Sequence, residues 1–251
     1  MRKPSTALKA PFLKRVSLLP EKAERNKFPF TRFADLLTDD FFMEFTHPVT
    51  IFVGENGSGK STILQALAKL AGFAAGGGDA WFQLHYTADT TDTTLVQALR
   101  PAWLPKVSNG FFFRSDTFAD VARYIDDEGN QAIHGGPLWE RSHGEIFMSV
   151  FNDRFAPTKR CMYLMDEPEN ALSPMRQFEL MRLMRDWEMS GNAQMIMATH
   201  SPILMSYPGA DLRYFSGTGI EPISYDEIEH VQITRAFLNN PARVLDELFR
   251  D

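Results

Sequence analysis

Residues 54–62 read GENGSGKST. They match G-x-x-x-x-G-K-[ST], the pattern of a loop that cradles phosphates. Glycines let backbone N–H groups turn inward onto phosphate oxygens. The helix that follows aims its positive dipole end at them. Lys60 reaches the β- and γ-phosphates, and the Ser61 hydroxyl suits Mg²⁺. A chain of about 250 residues matches this pattern by chance on the order of 1% of the time. The context also fits. Val49 to Val53 is a β-rich run that stops at Gly54, and Ser61 to Leu70 has helical spacing. The expected order is strand, glycine loop, helix. The expected nucleotide-binding residues are Gly54, Glu55, Asn56, Gly57, Ser58, Gly59, Lys60, Ser61 and Thr62. Lys60 is also expected to take part in catalysis, with ATP and Mg²⁺ as ligands.

Further along, YLMDEPEN at 163–170 puts Asp166 and Glu167 at the end of an apolar run. Carboxylates there face the phosphate loop if the two strands are neighbours at the carboxyl edge of a sheet. Asp166 would then hold Mg²⁺, and Glu167 would polarise an attacking water. A solvated acidic turn is the plainer reading, and the phosphate loop weighs against it. Glu169 reads as structural or peripheral. MIMATHSP at 195–202 ends a third buried run on His200. That histidine either donates to the γ-phosphate or caps a loop.

Residues 139–147, WERSHGEIF, crowd Ser142, His143, Gly144 and Glu145 together. A hydrolytic triad is excluded by their closeness in sequence and by the lack of an oxyanion loop. A zinc site is poor, because His143 has no histidine at i+4.

Elsewhere, FLKRVSLLP near the start alternates loosely and reads as an edge strand. Residues 74–94 read as loop and solvated edge or hairpin. GFFFR at 110–114 reads as a buried strand, with Ser115 or Asp116 capping a helix after it. Residues 117–155 read mostly helical. SPMRQFELMRLMRDWEM at 173–189 is an amphipathic helix, SGTGIEPISY at 216–225 a late hairpin, and two amphipathic helices split near Pro241 close the sequence.

The composition sets limits. The chain has 251 residues, 44% hydrophobic and 23% charged, which permits a sizeable core. Its net charge of −6 argues against a broad nucleic-acid surface, though not against a local basic groove. One cysteine, Cys161, excludes an internal disulfide and fits a reducing compartment. No run approaches the roughly 18 apolar residues of a membrane span, and the basic N-terminus has no apolar signal region. The expected location is cytoplasmic, with no integral membrane segment.

The order GENGSGKST, SHGE, YLMDEPENALSP, ATHSP resembles the ABC-type ATPases. That P-loop group includes transporter motors and the heads of chromosome-maintenance and break-repair ATPases. More closely, the chain resembles a family of small stand-alone bacterial ABC-type proteins, described as predicted ATPases of the AAA class. The likeness lies in residues 49–68, RSHGEIF at 141–147, DEPENALSPMRQ at 166–177, ATHSPILMSYPGA at 198–210 and FLNNPARVLDELF at 237–249.

The resemblance implies an α/β P-loop NTPase of ABC-ATPase type, with a mixed β-sheet flanked by helices. A single domain would span 1–251, with a helical signature subdomain at about 115–157. It implies hydrolysis of Mg-ATP to ADP and phosphate by an ATP-dependent head-to-tail homodimer. Ser142, His143, Gly144 and Glu145 would form a signature that closes in trans on the γ-phosphate of a second subunit. This differs from the transporter signature Leu-Ser-Gly-Gly-Gln. Where the family has a glutamine after the second core strand, this chain offers Asp116 as a candidate Mg²⁺ ligand. ENALSP at 169–174 would run along the dimer seam. The implied role is a soluble switch or motor for a nucleic-acid or protein partner. The alternative is the nucleotide-binding subunit of an ABC membrane transporter.

Overall fold

The computed structural model describes residues 8–74, 76–78, 93–118, 143–154 and 159–250. In chain order the elements are β1 (Leu13–Leu18), β2 (Phe42–Glu44), β3 (Val49–Val53), α1 (Lys60–Ala71), α2 (Thr94–Ala98), β4 (Leu99–Trp103), β5 (Gly110–Arg114) and α3 (His143–Arg154). Then come β6 (Cys161–Asp166), α4 (Pro174–Ser190), β7 (Ala193–Ala198), α5 (Pro202–Met205), β8 (Asp211–Phe215), β9 (Ile220–Pro222), α6 (Glu229–Asn239) and α7 (Pro241–Leu248). The molecule is mixed α/β, with a largely parallel sheet flanked by helices.

Alternation along the strands builds two cores. In β6, Tyr163 and Met165 point to one face while Met162 and Leu164 point to the other. Both faces are covered, so the strand is apolar throughout, as parallel strands between helices are. The first core holds residues of α3 and α4, where Phe147 stacks on Phe151 with ring centroids 4.3 Å apart and Tyr163 lies 4.4 Å from Trp187. The second core holds α1 and the N-terminal segment.

The main sheet has the order β5-β6-β7-β3-β8-β9. Its first five strands are parallel and β9 pairs antiparallel with β8. The expected late hairpin is this β8–β9 pair. The register sets Arg114, Asp166, Ala198, Phe52 and Arg213 in one row across the five parallel strands. Their carboxyl ends therefore reach the same edge, where ligands of open α/β sheets gather.

Two expectations need correction. First, β1 is not an edge strand: it is the centre of a separate antiparallel sheet of order β2-β1-β4. Loose alternation reports one buried face, and says nothing of how many neighbours the strand has. The edges are β2 and β4, and β4 contains Pro101, a residue that sheets confine to edge strands. Second, the phosphate-loop strand β3 and the acidic strand β6 are not neighbours. Strand β7 lies between them.

Helix starts and stops follow local chemistry. Ser173 caps α4 by accepting from the backbone N–H of Arg176, Pro174 opens the helix, and Gly191 ends it in the left-handed region. The helices at 229–239 and 241–248 divide at Pro241 as expected. Ser115 and Asp116 sit in a turn after β5, and the helix expected beyond them lies at residues outside those described. Most of 74–94 lies outside them as well. Among the described residues no helix is long and apolar enough to cross a membrane.

Candidate functional site

The loop between β3 and α1 is shaped by sterics. Gly54 has φ +136°, and a Cβ there would lie 2.5 Å from the carbonyl oxygen of Phe215. Only glycine fits. Gly59, at φ +102°, turns the chain directly into α1, so the helix N-terminus faces the loop. Lys60 is buried in this turn, and its Nζ donates to the carbonyls of Gly54 and Glu55, each at 2.8 Å. Burial pulls its pKa down, while Glu167, Asp166, Glu55 and Glu169 oppose the shift.

The acidic strand end reaches the loop although β7 intervenes. Helix α1 lies against both β7 and β6, and in its first turn the Ser61 hydroxyl donates to Asp166 Oδ1 at 2.8 Å. Burial raises the Asp166 pKa to about 6, against the lowering effect of the Ser61 bond; the Glu167 charge adds to the rise. A hydroxyl and a buried carboxylate, joined at a phosphate loop, are the donor set that Mg²⁺ takes beside nucleotide phosphates. Among the described residues the buried Ser58 hydroxyl and His200 Nε2 find no hydrogen-bond partner, which also suits a loop built for an anion.

Glu167 follows at φ 49°, ψ 55°. Among the described residues it is the only non-glycine with positive φ, an uncommon state that gathers at functional sites. Two bonds hold it. Its N–H donates to Ala198 O at 2.9 Å, and its Oε2 accepts from Asn170 Nδ2 at 2.9 Å. The other carboxylate oxygen lies 4.0 Å from His200 Nε2.

Glu169 does more than sit at the periphery. It accepts from the Thr199 hydroxyl at 2.7 Å and from the His200 N–H at 2.5 Å. Burial raises its pKa, while these two bonds hold it down. The Asp-Glu-Pro-Glu turn and the Thr-His loop are thereby one unit. Ser201 extends it by donating to Gln177 Oε1 on α4 at 2.5 Å.

Asp116 is exposed and paired with Arg114 at 2.6 Å, and its charge adds to the field that raises Asp166. Ser142 lies outside the described residues, as does the His143 side chain. Gly144 and Glu145 lie in the first turn of α3. A Cβ on Gly144 would come within 3.2 Å of the Ala171 carbonyl, so the start of α3 packs on the 168–171 turn that follows Glu167.

Sequence reading missed three residues here. Phe28 and Arg32 line a cavity of about 170 Å³ together with Asn56, Gly57, Lys60, Ser61, Thr62 and Glu167. Phe28 and Thr62 also line an adjoining cavity of about 260 Å³, walled by Pro29, Gln65, Ala66, Lys69, Leu95 and Val96. An exposed phenyl ring thus stands between a phosphate end and a more apolar slot. The third is His230, on α6, whose Nε2 lies 3.4 Å from His200 Nδ1. None of the three belongs to a motif, so no local pattern marked them.

Two family models match the chain. One is described as "AAA domain" and covers residues 32–75. The other is described as "AAA domain, putative AbiEii toxin, Type IV TA system" and covers residues 154–206. The first contains the phosphate loop, and the second contains Asp166, Glu167 and His200. Both AAA-domain matches thus fall on the phosphate-loop site of this α/β fold. Among solved structures, the chain is similar to cbiO1 from Clostridium perfringens, part of the ABC transporter complex cbiONQ. Identity is 18% and the TM-score 0.43, over 80% of this chain and 88% of that one. It is also similar to the SmcHead bound to the C-winged helix domain of ScpA, at 12% identity and TM-score 0.47, over 85% of this chain and 98% of that one. No curated protein matches the chain significantly.

Proposed function

We propose that this chain binds Mg-ATP and hydrolyses it to ADP and phosphate, closing head to tail on a second copy as it does so. The observation that carries the reading is the Ser61–Asp166 bond beside the buried Lys60, with Glu167 and His200 at the same edge.

Lys60 exchanges the carbonyls of Gly54 and Glu55 for phosphate oxygens. Ser61 and Asp166 hold Mg²⁺, which neutralises phosphate charge when bound. Glu167 accepts a proton from the attacking water as its oxygen bonds to the γ-phosphorus and the bond to the bridging oxygen breaks. His200 donates from Nε2 to the charge that develops. Positioning and charge stabilisation supply most of the rate. Phe28 offers its ring to the base. Helix α3 belongs to a signature subdomain at about 115–157 within one domain spanning 1–251, and Ser142 and Gly144 close on the partner's γ-phosphate. The cycle serves as a switch or motor for a protein or nucleic-acid partner.

The solution mass of Glu167→Gln tests the shared site. Adding Mg-ATP is expected to shift it from 28.5 kDa to twice that value. A monomer with ATP demonstrably bound would overturn the head-to-tail reading.

A further inference from the structure

We propose that His230, on helix α6, is a positioning residue that holds the proton of His200 on Nε2, the ring nitrogen facing Glu167. The functional consequence rests on the ATPase reading above; the placement of the proton does not.

A neutral imidazole carries one proton on one of two nitrogens, and the partner of one nitrogen decides the role of the other. His200 Nδ1 lies 3.4 Å from His230 Nε2, with the rings edge to face at 5.0 Å between centroids. Only one of these two nitrogens donates in that contact. The Glu55 carboxylate favours one of them: its Oε1 lies 3.8 Å from the same His230 Nε2. A carboxylate only accepts, so it favours a proton on His230 Nε2. His200 Nδ1 is then the acceptor, and its own proton goes to Nε2.

That nitrogen is buried, has no hydrogen-bond partner among the described residues and lies 4.0 Å from Glu167 Oε1. With a proton it can donate to a phosphate oxygen. Without one it would repel that oxygen, so the opposite tautomer is the wrong one for the site. Burial and the nearby Lys60 charge keep the His200 ring neutral, which makes the choice of tautomer matter. The positions are 30 residues apart in sequence and meet only through the fold. They link helix α6 to the phosphate loop through Glu55.

Histidine-labelled, nucleotide-free protein tests this at pH 8 by long-range ¹H–¹⁵N correlation spectra, with His200 assigned by its loss in His200→Gln. The wild-type His200 ring is expected as the Nε2–H tautomer. His230→Ala is expected to give a mixture of tautomers. His230→Gln, whose amide offers an N–H in the same place, is expected to restore the wild-type pattern. ATP turnover is expected to follow, with kcat about tenfold lower and KM unchanged in His230→Ala, and recovery in His230→Gln. An Nδ1–H ring in the wild type, or a His200 spectrum unchanged in His230→Ala, would overturn the proposal. Because the spectra need no nucleotide, a chain that shows the expected tautomers but no turnover would sink the ATPase reading alone.

Discussion

Ser61 and Asp166 are 105 residues apart in sequence and share a hydrogen bond of 2.8 Å. Strand β3, which leads through the loop into the helix of Ser61, and strand β6, which ends on Asp166, are not neighbours, yet the register row through Ala198 levels their ends and the start of α1 reaches Asp166. The carboxylate is thereby buried before any cation arrives. Its raised pKa records the cost of that arrangement.

The sign of the pH effect follows. Between the ordinary value of 3.8 and about 6, the folded protein holds a proton on Asp166 that the unfolded chain has lost. This contribution favours folding on the acid side and is lost as pH rises through about 6. Above that pH the ionised group costs the nucleotide-free fold up to about 3 kcal/mol. Asp166→Asn is therefore expected to be more stable than wild type at pH 8 in chelator, and to lose Mg²⁺-dependent ATP binding. Thermal melts with and without Mg-ATP check both. In the wild type, Mg-ATP affinity is expected to fall as pH drops below about 6.

Glu167 stands in the left-handed region without being glycine. Glu167→Gly is expected to stabilise the fold by about 1 kcal/mol, because glycine adopts this backbone without strain. The same change removes the proposed general base. A chemical-denaturation midpoint that falls would contradict the strain argument.

Glu169 joins Thr199 and the backbone of His200 to the acidic turn. Glu169→Ala leaves both donors unpaired and is expected to cost about 1–3 kcal/mol of stability. Activity is expected to fall with it, since His200 loses its tether. Glu169→Gln keeps an acceptor and is expected to fall between the two. Parallel melts and phosphate-release assays on both variants measure this.

Phe28 is 46% exposed at the junction of the two cavities. Base stacking on an aromatic ring contributes about 1–3 kcal/mol, so Phe28→Ala is expected to weaken ATP binding by about 5-fold to 150-fold. Phe28→Trp is expected to retain it. Titration calorimetry checks the order, and equal affinities for all three would remove Phe28 from the site.

Much of this was legible in the sequence because the physics is local. The glycine pattern of 54–59 is a steric demand, and apolar runs ending in Asp166 and His200 mark strands that finish at one sheet edge. The α/β class, with a sheet flanked by helices, followed from those motifs in that order. What failed to show was whatever depends on distant packing. Strand β2 has only three residues and β4 contains a proline, so neither announces a sheet, and β1 could not reveal two neighbours. Phe28, Arg32 and His230 acquire roles only when helices and loops bring them to the phosphate loop. Glu169 read as structural or peripheral, and which of the two it is was not legible because its partners lie about thirty residues on, across the sheet edge.

The central claim is that Glu167 drives ATP hydrolysis at the phosphate loop. Phosphate release from Mg-ATP, measured on wild type and Glu167→Gln alongside ATP binding by calorimetry, tests it most directly. The account predicts turnover by the wild type, a fall of about 100-fold or more in Glu167→Gln, and ATP affinity retained in both. Equal turnover in the two proteins, with ATP bound by both, would contradict it.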